Sequence, residues 1–131
     1  MKFARFVFIG AGVWGVVVLT PLIFLVDISG RHYLPPTSYP QFFYGFMGVA
    51  LAWQLVFLVI GSDPMRFRPL MIAAIVEKAG FIIPAGVLYA HGRITAQDAS
   101  AAIPDAILGV LFVLAFLRSA SARPAEPSRP R

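Results

Sequence analysis

Four apolar blocks, Phe6–Val26, Phe42–Gly61, Leu70–Tyr89 and Ala99–Leu117, take up most of this 131-residue chain. Each is close to the ~20 residues that an α-helix needs to cross a ~30 Å hydrocarbon core. The segments between them are too short for a separate soluble domain. The sequence therefore predicts one all-α membrane domain over residues 1–117, a four-helix transmembrane bundle with helices at about 6–26, 42–61, 70–89 and 99–117. Composition agrees: 59% of residues are hydrophobic and 13% charged, against roughly 45–50% and about 25% in soluble domains.

Lys2 and Arg5 give the first block the positive start of a signal peptide. Its apolar run nevertheless exceeds the ~7–15 residues of such a segment, and no small-x-small cleavage site follows. A retained helix is expected. The chain has no cysteine, which rules out disulfides, thiolate metal sites and cysteine catalysis.

The net charge of +5 resembles that of a nucleic-acid binder, but its placement points elsewhere. Lys2, Arg5, Arg66, Arg68, Arg118, Arg123, Arg129 and Arg131 fall at one set of helix ends, and only Arg31 and Arg93 at the other. Cytoplasmic loops of membrane proteins carry the excess of Lys and Arg. Both termini are therefore expected in the cytoplasm of a bacterium, with the bundle in the inner membrane and no nucleic acid as partner.

The connecting segments fit this layout. "DISGRHYLPPTSYP" would be an outer loop, its Tyr33 and Tyr39 joining Tyr44 and Tyr89 in an aromatic belt. In "SDPMRFRP", Ser62 or Asp63 can begin a turn and Pro69 can open the third helix. In "HGRITAQD", the Thr95 hydroxyl is placed to cap a following helical turn. Residues 118–131 form a proline-rich basic tail, expected to be disordered and cytoplasmic. Pro21, Pro84 and Pro104 all fall roughly 21–24 Å from the cytoplasmic helix ends, counted by the helical rise. Proline bends a helix and removes a backbone donor. One reading is a bundle splayed open toward the outer leaflet; the other is that such prolines are ordinary near helix ends.

The costliest feature is Glu77-Lys78, set near the middle of the third block. A charge at the bilayer centre costs ~2.5–3.5 kcal/mol on insertion scales, while each Leu, Ile, Phe or Val returns only ~0.3–0.6 kcal/mol. The pair must be neutralised, partnered or hydrated. Gln54 on the second helix lies at nearly the depth of Glu77, roughly 11 against 12 Å from the cytoplasmic end. Trp53 and Trp14 lie at similar depths, away from the interfaces that tryptophan favours. Asp105 is higher, within range of an outward-leaning Lys78. Consecutive helical residues diverge by about 100°, so Glu77 and Lys78 are not expected to pair simply with each other. The sequence thus predicts a midplane pocket of Trp14, Trp53, Gln54 and Glu77, with Lys78 and Asp105 completing the ligand-binding set. The competing reading makes Glu77 and Gln54 polar glue between helices and Asp105 an ordinary first-turn acid.

Other signals are weaker. His32 and His91 lack a third ligand for a metal, and no helix-centred histidine pair suits a haem. No metal or cofactor is expected. Gly45, Gly48 and Ala52 form a small-residue stripe fit for an oligomer face or a second contact inside the bundle.

The run "YPQFFYGFMGVALAWQLVFLVIGSDPMRFRPLMIAAIVEKAGF", followed by "PDAILGVLFVLAFLR", resembles small uncharacterised four-helix membrane proteins of bacteria. Tyr39-Pro40, Trp53-Gln54, the Asp63–Pro69 loop, Glu77-Lys78 and Pro104-Asp105 carry that resemblance. More remotely the layout is similar to the DoxX-like group, which includes accessory subunits of membrane oxidoreductases. The resemblance implies an architecture and transfers no functional residue.

Three functions follow. The leading one is a non-catalytic inner-membrane protein whose pocket binds a lipid-like or quinone-like molecule, or a partner membrane subunit; a homo-oligomer is a further option. The second is a small proton-coupled transporter using Glu77. The third is a membrane enzyme acting on a lipidic substrate, with Glu77 and Asp105 as acid and base; a height gap of roughly 7–8 Å between them strains this reading.

Overall fold

The computed structural model describes residues 2–28 and 40–122, and the side chains of 2–24 and 41–122. Arg31, His32, Tyr33, Tyr39 and the tail from residue 123 lie outside the described residues. The helices are α1 (Lys2–Ile28), α2 (Pro40–Ser62), α3 (Arg68–Ala90), the short α4 (Ala96–Ser100) and α5 (Ile103–Ser121). Four segments, Lys2–Phe24, Gln41–Ser62, Arg68–Ala90 and Ala96–Ser121, are long and apolar enough to cross a membrane. The chain is an all-helical bundle of the multi-pass membrane type, as its four apolar blocks predict.

Local chemistry sets the helix ends. Asp63 accepts the Arg66 backbone N–H at 3.2 Å, and Pro69 follows in the first turn of α3, where its missing N–H costs nothing. Gly92, with φ +65°, turns the chain out of α3 in a left-handed conformation that glycine adopts without strain. Thr95 then caps α4 in a reciprocal pair with Asp98. The fourth span is thus two helices: α4, a turn at 101–102, and α5. Pro104 sits in the first turn of α5, so it begins a helix, whereas Pro21 and Pro84 lie inside theirs. Helix α5 runs on through Ser121, so the first residues of the expected tail are helical.

Two hairpin-like pairs build the bundle. Helix α1 packs most extensively on α2 and α3 on α5, while α1 and α5 join the pairs. Helices α2 and α3, although consecutive, touch only sparingly. The α1–α2 seam is close because small residues line it. A side chain at Gly12 would meet Leu58 and the Gln54 carbonyl at 2.7–2.8 Å, and one at Gly61 would meet Ile9 at 2.7 Å. Such close approach is how helices associate where surrounding lipid is as apolar as the side chains.

The core occupies one half of the bundle. Ala4, Phe8, Ala11, Phe57, Ile60, Met71, Ala74, Phe112 and Ala115 are essentially inaccessible, and all lie toward the end where α1 starts and α5 finishes. Phe8 stacks on Phe112 at 4.3 Å between ring centroids, and Phe57 meets Phe112 edge-on at 4.9 Å. Arginines tie that end together. Arg5 donates to the Ser62 carbonyl at 3.1 Å, Arg68 donates to the buried Ser119 hydroxyl at 2.9 Å, and Arg118 lies 4.4 Å above the Phe3 ring. The Arg118–Phe3 contact places the start of α1 and the end of α5 at the same end of the bundle.

The other half is not packed in this way. None of residues 16–24, 79–90 or 103–111 is buried, and Met47 is the one buried residue in 41–53.

Candidate functional site

Lys78 sits at the boundary between the two halves. Met71, Ala74 and Lys78 are the buried residues of α3 and share one face at helical spacing. That face turns the lysine inward, over the aromatic floor. Its stem passes the Cα of Gly109 on α5; a Cβ at Gly109 would lie 3.6 Å from the Lys78 Cβ, an ordinary contact. The ammonium ends 5.1 Å from the Phe57 ring centroid, a cation–π distance.

Two carboxylates share that ammonium. Lys78 Nζ donates to Asp105 Oδ1 at 2.8 Å and lies 3.2 Å from Glu77 Oε2. The Asp105 link follows the outward lean expected of a long lysine stem. The Glu77 contact corrects an expectation. Neighbouring helical residues do diverge, but four methylenes let the ammonium swing back to the adjacent carboxylate. The approach to Glu77 is close but misdirected: Glu77 Oε2 is a buried oxygen that accepts no hydrogen bond. The cluster therefore contains one strong charge-assisted bond, one Coulombic contact and one oxygen left without a donor. One ammonium against two carboxyl groups leaves either a surplus negative charge or a shared proton.

The expected pocket of Trp14, Trp53, Gln54 and Glu77 does not assemble. Gln54 is buried, but its amide donates to the Ala50 carbonyl at 2.9 Å and its side chain lies against Gly15. It fills the α1–α2 seam at Gly15 while its hydrogen bond stays within α2, so it packs that seam and is not hydrogen-bonded to Glu77. Trp14 is 55% exposed and faces away from the core. Trp53 packs at 6.2 Å from Phe57, one ring removed from the Lys78 ammonium. Of the six sequence-derived site residues, Glu77, Lys78 and Asp105 come together, with Trp53 behind the floor.

Sequence reasoning passed over Phe57 and the groove beside the cluster. Phe57 stands one helical turn beyond Trp53 and, by the helical rise, roughly 6 Å nearer the α2–α3 connection than Lys78, so depth matching does not pair them. The groove, of about 430 Å³, runs between α3 and α5 and is lined by Ile75, Ala79, Ile82, Gly109, Val113 and the Lys78 stem among others. Its volume falls within the ~300–1,000 Å³ of small-molecule sites. His91 points back to its own helix, with Nδ1 2.8 Å from the Val87 carbonyl. Gly45 and Gly48 have no neighbour within 4 Å of a built Cβ, so the small stripe of α2 faces out of the monomer.

The fold and the site together define a small multi-pass membrane protein with an ion cluster inside its spans. Comparison with protein-family models, with curated proteins and with solved structures finds no match to the chain.

Proposed function

We propose that this chain is a non-catalytic inner-membrane protein that holds a lipid-like or quinone-like amphiphile at the Glu77–Lys78–Asp105 cluster. The observation that carries this reading is the buried Lys78 ammonium shared by two carboxylates at the edge of the unpacked half. Ionisable groups within membrane spans mark functional sites by default, because their insertion cost must be offset. The groove between α3 and α5 supplies an apolar channel for a chain, and the cluster supplies polar groups near its far end. Low coverage of the spans, at most 28% buried, leaves room for lipid or for a membrane partner.

Native mass spectrometry of gently purified protein tests the reading. A bound amphiphile should be retained by the wild type and lost on Ala79→Trp, which fills the groove without touching the cluster. Equal retention by both would count against it. The proposed orientation, both termini cytoplasmic, rests on the arginine asymmetry. Single cysteines at Met65 and Gln97 should then label from opposite sides of intact cells, Gln97 from outside.

A second reading, a proton-coupled transporter using Glu77, draws on the buried Oε2 that accepts no hydrogen bond. Counterflow of protons on addition of a transported solute to proteoliposomes, abolished by Glu77→Gln, would favour it over simple binding.

A further inference from the structure

The cluster beside the groove is unbalanced in charge, and that imbalance bears on the head group of its ligand. Lys78 is the one cation in contact with Glu77 and Asp105 among the described residues. Its ammonium is buried and already faces two carboxylates and an aromatic ring. It has little left to offer an anionic head. The carboxylates are differently placed. The Asp105 side chain keeps 26% of its surface accessible and the Glu77 side chain 19%, but Glu77 Oε2 is itself enclosed, so the carboxylate a ligand can reach is that of Asp105. The cluster thus sets one ammonium against two carboxyl groups and offers the Asp105 carboxylate as its accessible acceptor.

The groove sets the position of the tail. It is lined at its far end by Ile82, Ile83 and Ala106 and descends to Ile75 and Leu114. Asp105 is the residue before Ala106 and is hydrogen-bonded to Lys78, itself a lining residue. An amphiphile whose chain fills the groove would carry its head to this rim.

We infer that the site selects amphiphiles with an ammonium head group, the chain lying between α3 and α5 and the head donating to the Asp105 carboxylate beside Lys78. This rests on the amphiphile-binding reading above and adds the class of head group. A cationic donor would bring a second positive charge to two carboxyl groups in a region of low dielectric, where charge-assisted bonds are strongest. An anionic head would meet two carboxylates and an ammonium already engaged. A hydroxyl head would donate a weaker bond without the charge.

Three photoreactive probes separate these cases: hexadecylamine, hexadecanoic acid and hexadecanol, each with a diazirine in the chain, offered at neutral pH to the full chain in detergent. Cross-links mapping to α3 and α5 should favour the amine over the acid by about tenfold, the worth of one hydrogen bond to a charged group. The alcohol should fall between them. Asp105→Asn should bring amine and acid close to parity while the alcohol still cross-links at the groove, which also reports that the variant is folded. Acid labelling equal to or above amine labelling in the wild type would overturn the head-group assignment and leave groove binding standing. So would an unchanged ratio in Asp105→Asn. No cross-link to α3 or α5 from any probe would remove the amphiphile reading itself, and the inference with it. The wild-type ratio decides the matter even where the variant folds poorly.

Discussion

In the half of the bundle where α1 begins and α5 ends, Phe8, Phe57 and Phe112 interlock and arginines bind helix ends together. Beyond Lys78, Ile83 is 63% and Val87 51% exposed, and the α3 glycines Gly80 and Gly86 have no neighbour within 4 Å of a built Cβ. Both halves are made of apolar residues in similar proportion. The difference shows that hydropathy alone does not pack a membrane helix. Lipid chains are as apolar as leucine, so helices stay together only where shapes fit or polar groups bond. The phenylalanine stack and the small-residue seam of α1 and α2 supply that fit at one end. At the other, Pro21 and Pro84 lie inside α1 and α3, and the ion cluster joins α3 to α5 beside Lys78.

That contrast can be broken by paired substitutions. Phe112→Ala should cost the most, ~3–5 kcal/mol by the precedent of aromatic truncation in packed interiors. Ile83→Ala in the open half should cost less than ~0.5 kcal/mol, as surface changes do. Denaturant unfolding in mixed micelles measures both; similar losses would mean that the far half is packed after all. Lys78→Met removes the cation and leaves two carboxylates facing each other, and breaking a buried ion pair from one side costs ~3–5 kcal/mol. The triple variant Glu77→Gln, Lys78→Met, Asp105→Asn should recover much of that loss, because no lone charge remains. If the triple variant is as unstable as Lys78→Met, the cluster holds the fold by more than charge balance.

A smaller effect tests the seam. Gly12→Val should cost ~1–3 kcal/mol, since its side chain would meet Leu58 and the Gln54 backbone and overpacking is costly. The smallest change should be a gain. Gly86→Ala meets no neighbour, and alanine exceeds glycine in helix propensity by at most ~1 kcal/mol. A loss of stability there, read by the same unfolding assay, would reveal a helix or a second chain seated on the open half.

Four apolar blocks determined the class of the fold without help from tertiary structure, because the length and hydropathy of a span are properties of a segment taken alone. The arginine pattern likewise sorted the helix ends into two groups, and the contact of Arg118 with Phe3 puts two of those ends side by side. The Thr95 cap and the opening proline of α3 were legible too, since caps and turns are made by neighbours in sequence. The Lys78–Asp105 bond was within reach of depth counting, because a lysine stem covers the remaining gap. What only the tertiary structure decided was rotation: which way each helix turns its faces. Gln54 and Glu77 share a depth, yet Gln54 turns to Gly15 because α1 approaches α2 so closely. Trp14 turns outward because Ala11 and Gly12 take the inner face of α1. Depth is additive along one helix, whereas rotation is settled by the fit of every helix against its neighbours, and no single segment carries that information.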